Sequence, residues 1–186
     1  MNIDWNFISA REGGSRLKGY IPKANGEVLD SSGVTIATGF DIGQYSENDL
    51  VKLGLPDDLI DLLAPYCLAR GLDADEMLSI HGAPEITDTE AFALDNASHT
   101  RTVDLLKKKF NKEAYCRFEA LHPQIQTAIA SVAFQYGIGL KYKTPMFWKQ
   151  ITTHDWDGVL SNLRNFGDKY PTRRNLEADL IDACMS

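Results

Sequence analysis

Hydrophobic spacing along most of this chain follows a helix. "PDDLIDLLAPY" begins with Pro56 at a first helical position and places acids in its first turn. Ser46 with Asp49 forms a capping-box pattern ahead of "DLVKLG", and Thr87 with Glu90 forms another ahead of a long helix expected to reach about Asn111. "DADEMLSIHG" reads as a short helix ended by Gly82. "PQIQTAIASVAFQYG" is apolar nearly all round, with Ile125, Ile129, Val132 and Tyr136 on one stripe, so it is expected to be buried at a domain centre. "TPMFWKQITT", "DWDGVLSNLRNFG" and "PTRRNLEADLIDAC" complete a helical C-terminal half.

Only residues 18–43 read as β: "KGYIPKANGEVLDSSGVTIATGFDIG". Asn25-Gly26 signals a hairpin turn and "SSG" at Ser31–Gly33 a second turn. The expected fold is therefore α+β, mostly α: a small antiparallel β lobe at about 13–45 and a helical lobe at about 46–186, within one domain spanning 1–186. A cleft between two such lobes is a usual place for a ligand.

Composition narrows the function. With 186 residues, 44% hydrophobic and 24% charged, the chain is an ordinary globular protein with room for a real core. No run is long enough to span a membrane, and "MNIDWNFISAREGG" has no basic start or long apolar stretch of a secretory signal. A net charge of −7 argues against nucleic acid as a main partner. Cys67, Cys116 and Cys184 are widely spaced and read as reduced thiols; four scattered histidines make no metal-ligand pattern. The basic run Lys107–Lys109 reads as a solvated helix face.

Two stretches carry candidate chemistry. Near the N-terminus, Trp5, Ile8 and Glu12 fall on one helical stripe, and Gly13 and Gly14 stop the helix. An acid on that apolar side loses hydration, which raises its pKa and suits it to general-acid work. In "GVTIATGFDIG", read as one strand, Val34, Ile36, Phe40 and Ile42 share a core face. Thr35, Ala37, Gly39 and Asp41 share a small, polar face open to substrate. Straight strand from Thr35 to Asp41 spans roughly 20 Å, so the two serve one water only if Gly39 bends the chain. Two carboxylates flanking a bond is the layout of glycoside hydrolysis.

These segments resemble the T-even phage lysozymes and, more closely, their pesticin-like relatives among bacteriocins and toxin or effector domains. "REGGSRLKGY" puts Glu12 in the place of that family's catalytic glutamate, and "GVTIATGFDIG" puts Thr35 in the place of its threonine. "IASVAFQYGIG" and the later "YPTRRNLEADLI" look like its buried helix and C-terminal helices. Phage-type enzymes usually carry a second acid or a cysteine between the glutamate and the threonine. Here that neighbourhood, "KGYIPK", has no acid; Asp41, six residues after Thr35, fits the pesticin-like placement, with Asp30 as a fallback.

The resemblance implies an N-acetylmuramidase. Glu12 would protonate the glycosidic oxygen, Asp41 would stabilise the oxocarbenium-like charge, and Thr35 would position the water. Arg173 would pair with Glu12, opposing the effect of burial on its pKa. Gln135 and Gly39 are supporting candidates. No cofactor or metal is implied. Peptidoglycan strands are the expected partner, with an immunity protein possible for a secreted toxin, no membrane insertion, and a monomer. The chain would be made in the cytoplasm and act on periplasmic wall after holin release or secretion, as an endolysin, bacteriocin or effector. A lytic transglycosylase using Glu12 alone, and a binding protein without activity, are the competing readings.

Overall fold

The structure is a computed structural model that describes residues 2–10, 14–24, 27–28 and 31–185. In chain order its elements are α1 (Trp5–Ser9), β1 (Arg16–Tyr20), β2 (Lys23–Ala24), β3 (Glu27–Val28), β4 (Thr35–Ala37), β5 (Phe40–Asp41), α2 (Glu47–Lys52), α3 (Asp57–Leu63) and α4 (Leu72–His81). There follow α5 (Asp88–Glu113), α6 (Pro123–Tyr136), α7 (Leu140–Lys143), α8 (Pro145–Thr153), α9 (Trp156–Arg164) and α10 (Pro171–Met185). The fold is α+β and mostly α. By compactness the chain divides into two units, residues 13–101 and residues 1–12 with 102–186. The described strands all lie in the first, together with α2, α3, α4 and the start of α5.

In the unit of residues 13–101, β1, β4 and β5 form an antiparallel sheet in that order, and β2 pairs with β3. The register Lys23↔Val28 and Ala24↔Glu27 flanks Asn25-Gly26, which lie outside the described residues. Ser46 and Asp49 make the full capping box of α2, and Gly82 ends α4 at φ +79°. Pro56 departs slightly from expectation: its extended ψ of 144° puts it just before the first turn of α3.

A larger correction concerns "GVTIATGFDIG". It is not one strand. Ile36 pairs with Phe40 and Thr35 with Asp41, so the chain doubles back as a tight hairpin. Two left-handed residues make the reversal, Ala37 at φ +52° and Gly39 at φ +88°. Val34, Ile36, Phe40 and Ile42 still share one core, packed with Leu50, Leu59, Leu63 and Leu94, because the hairpin register keeps alternate positions on one side. Each such buried side chain contributes about 1.5–3 kcal/mol over the exposed state. The other face is only partly open: Thr35, 5% exposed, and Ala37, 2% exposed, are buried, whereas Gly39 is exposed and Asp41 half-buried.

In the helical unit, α6 is the central element. Ala128, Ile129, Ala130, Val132 and Ala133 are fully buried, and the helix packs against α10 and α1. Pro123 occupies its first turn and Gly137, at φ +75°, ends it. Around it Ile8, Val103, Leu106, Phe110, Phe118, Phe147 and Ile151 complete one apolar cluster. Helix α1 is shorter than its hydrophobic spacing suggests. Asp4 caps it by accepting from the Phe7 amide at 3.0 Å, and it closes at Ala10. Among the described residues, no helix is long and apolar enough to cross a membrane.

Candidate functional site

The candidate residues divide between the units: Thr35, Gly39 and Asp41 in one, Gln135 and Arg173 in the other. Glu12 lies outside the described residues, as does Asp30.

The hairpin brings Thr35 and Asp41 together. They are directly opposed cross-strand partners, which places their Cβ atoms about 4.5–5.5 Å apart on one face, far less than a straight strand allows. Gly39 supplies the bend that this needs. A Cβ there would meet nothing within 4 Å, so its positive φ, not crowding, calls for glycine.

Asp41 is held by backbone donors. Its Oδ1 accepts from the Gly33 amide at 3.0 Å and the Gly43 amide at 3.1 Å, and its Oδ2 accepts from Gln44 Nε2 at 3.1 Å. The carboxylate thus caps the 3-10 turn Ile42–Gln44. Both lone pairs of Oδ1 are used, while Oδ2 keeps one. Thr35 Oγ1 donates to the Gly33 carbonyl at 3.3 Å, so its lone pairs can accept. Gly33 therefore ties both side chains through a single residue. A Cβ on Gly33 would come within 2.6 Å of Asp41 Oδ1, 2.6 Å of Gly43 Cα and 2.7 Å of the Ala69 carbonyl.

The hairpin tip has a partner that sequence spacing did not suggest. Asp95, on α5, accepts from the Thr38 amide at 3.1 Å and from the Thr38 hydroxyl at 2.7 Å. The two bonds fix the loop that carries Gly39.

In the helical unit the "RR" pair sits in a buried ion cluster. Arg173 donates to Ser131 Oγ at 3.2 Å, to the Ser131 carbonyl at 2.9 Å and to Glu177 Oε1 at 3.2 Å. Ser131 donates in turn to Glu177. Arg174, 1% exposed, donates to Asp168 at 2.9 Å, to Glu177 and to Gln135. Its guanidinium also lies 4.9 Å from the Phe166 ring centre. Gln135 is thus an acceptor for Arg174, and Arg173 is anchored to Ser131 and Glu177. Glu177 is fully buried between the two arginines. Burial works to raise the Asp168 carboxyl, but hydrogen bonds from Arg174, the Tyr170 amide and Tyr136 outweigh it and leave the pKa below the ordinary value. Tyr136, Phe166 and Asp168 also line a hollow of about 280 Å³.

Sequence reading missed Asp95, Ser131, Asp168 and Glu177, and of the pair Arg173 and Arg174 it preferred Arg173. Two signals were present: Arg173 and Glu177 stand four apart on one helix, and Ser131 interrupts the apolar run from Ala128 to Phe134 in α6.

The chain is mostly helical, its described strands lie in its N-terminal part, and one hairpin opposes a threonine and an aspartate. It belongs to the Pesticin family, bacterial toxin homologues of phage lysozyme (C-terminal part), whose pattern it matches over residues 2–157. That membership supports a lysozyme-like, peptidoglycan-acting function. Arg173 and Glu177 lie beyond the matched span. No curated protein matches the chain.

Proposed function

We propose that the protein is an N-acetylmuramidase that hydrolyses the β-1,4 bond between N-acetylmuramic acid and N-acetylglucosamine, and so lyses bacterial wall. The observation that carries this reading is the opposed pair Thr35 and Asp41 in a chain of the phage-lysozyme-like family. The Thr35 hydroxyl spends its proton on the Gly33 carbonyl, and Asp41 Oδ2 retains one lone pair. A water donating one proton to each would turn its own lone pair outward, toward a sugar carbon. Glu12 is the proposed general acid at the leaving oxygen. This division of labour favours hydrolysis over a transglycosylase that needs no water. As a wall-acting toxin the protein would be delivered by a holin or a secretion machine, and an immunity protein would protect its producer.

The test is digestion of purified Gram-negative peptidoglycan by the wild type and by Glu12→Gln, with products read by mass spectrometry. Reducing N-acetylmuramic ends from the wild type, and loss of ~10²–10⁴-fold in rate for the variant, are expected. Anhydro ends would make the enzyme a transglycosylase. Equal cleavage by both proteins would remove Glu12 from the mechanism.

A further inference from the structure

The chain's acidity is unevenly shared. Residues 13–101 carry six Lys and Arg against fifteen Asp and Glu, whereas the helical unit carries thirteen against eleven. Much of that positive charge gathers on α7, α8 and the end of α5. A hollow of about 150 Å³ there is lined by Lys109, Lys112, Lys141, Glu113, Tyr142 and Trp148, among others. Its one acid is neutralised: Glu113 accepts from Lys141 at 2.8 Å and from the Trp148 indole at 3.0 Å, and these bonds hold it below the usual carboxylate range. Lys109 is fixed at the rim by donating to the Ile138 carbonyl at 3.1 Å. Tyr142 presents its ring at 82% exposure.

Two more lysines follow, Lys143 on α7 and Lys149 on α8. Lys143 and Lys149 are exposed and line two neighbouring hollows that share the exposed Met146. The acids near them are occupied: Asp168 by Arg174 and Tyr136, and Asp155 by capping α9 through the Gly158 amide at 3.0 Å.

We infer that these lysines, together with the exposed ring of Tyr142, form a docking surface for the carboxylate-bearing peptides and sugars of intact peptidoglycan. The inference rests on the peptidoglycan substrate proposed above. Spaced lysines complement a polymer whose peptides repeat carboxylates along the strand, and the exposed tyrosine ring offers a flat surface for a sugar. Each exposed contact is weak and screened by salt. Repetition along an insoluble polymer converts such contacts into retention. The surface therefore serves capture of whole wall, not turnover of a short soluble glycan.

The experiment uses the full chain carrying Glu12→Gln, so that wall is bound without being consumed, with and without Lys112→Glu, Lys143→Glu and Lys149→Glu together. Sedimentation with purified sacculi, at low and high salt, is the readout. Retention is expected to fall on the order of tenfold with the triple change, and to fall with salt for the parent. The milder triple change to Gln and the single Tyr142→Ala, each with an unaltered melting temperature, should give smaller losses. In the chain with Glu12 intact, cleavage of a soluble peptide-free glycan should stay the same with or without the lysine changes. Retention by the triple variant equal to the parent overturns the docking surface. So does loss of binding to anionic phospholipid vesicles without loss on sacculi, which would mark a membrane surface. Salt-sensitive, lysine-dependent retention without any cleavage by the wild type would sink the muramidase reading and leave the docking surface standing.

Discussion

The two units fix their key side chains by opposite means. In residues 13–101, Asp41 is held by the amides of Gly33 and Gly43, and Thr35 by the Gly33 carbonyl. Apart from the Gln44 amide on Asp41, these holding groups are backbone, so the arrangement depends chiefly on backbone shape. In the helical unit, Arg173 and Arg174 are held mainly by side chains, those of Glu177, Ser131, Asp168 and Gln135 on α6, α10 and the turn before it, with the Ser131 carbonyl the one backbone acceptor among the described bonds. Regular helix cannot turn its own amides toward a side chain in its middle, since they are already bonded within the helix. A buried charge there needs other side chains. The hairpin should therefore break at glycine, and the helical cluster at its acid.

Glu177 is the sharpest point of attack. It is fully buried, and truncating it leaves two arginines without their shared carboxylate. Breaking one member of a buried ion cluster costs about 3–5 kcal/mol. We expect Glu177→Ala to destabilise the protein by that amount in urea unfolding, more than Gly33→Ala in the hairpin. A loss under ~1 kcal/mol would mean that the cluster is wet, and the contrast between the units would fail.

Gly33→Ala tests the other side. The added Cβ would crowd Asp41 Oδ1, Gly43 Cα and the Ala69 carbonyl, two of which belong to the backbone and cannot swing away. Forcing a methyl group into such a site costs about 1–3 kcal/mol. The larger effect should fall on catalysis, because Thr35 and Asp41 both hang on this residue. Wall-cleaving activity of the folded variant is expected to drop by at least ~10²-fold, as misplacement of about 1 Å can do. Full activity would show that Gly33 does not hold the pair.

What could be read from the chain and what could not follows the same division. Both capping boxes, Ser46 with Asp49 and Thr87 with Glu90, were legible because the partners are three residues apart and the bonds are local. The burial of α6 was legible from its apolar circumference. The reversal at Thr38-Gly39 was not. Ala37 takes a left-handed conformation that nothing about alanine announces, and the acid that secures Thr38 lies 57 residues away. The alternation of "GVTIATGFDIG" survives a hairpin as well as a strand, so periodicity alone did not distinguish them. Similarly, Arg173 and Glu177 have the spacing of an ordinary surface pair, and only Ser131, 46 residues before Glu177, makes the pair a buried one.

The smallest expected effect concerns Asp168, at the edge of the helical cluster. It accepts from Arg174 and from the Tyr136 hydroxyl at 2.8 Å, and its folded pKa lies below the unfolded value. A carboxyl with a depressed folded pKa contributes stability above its unfolded pKa, near 4, and loses that contribution as pH falls through the folded value. Asp168→Asn should therefore destabilise by about 1–2 kcal/mol at neutral pH, the scale of a charge-assisted hydrogen bond. The gap between variant and wild type should close on acidification below about pH 4. Melting temperatures of both proteins, measured from neutral to acid, read this directly. Curves that stay parallel through the acid range would show that Asp168 is not ionised against Arg174, and Glu177 would then be the charged partner that holds Arg174.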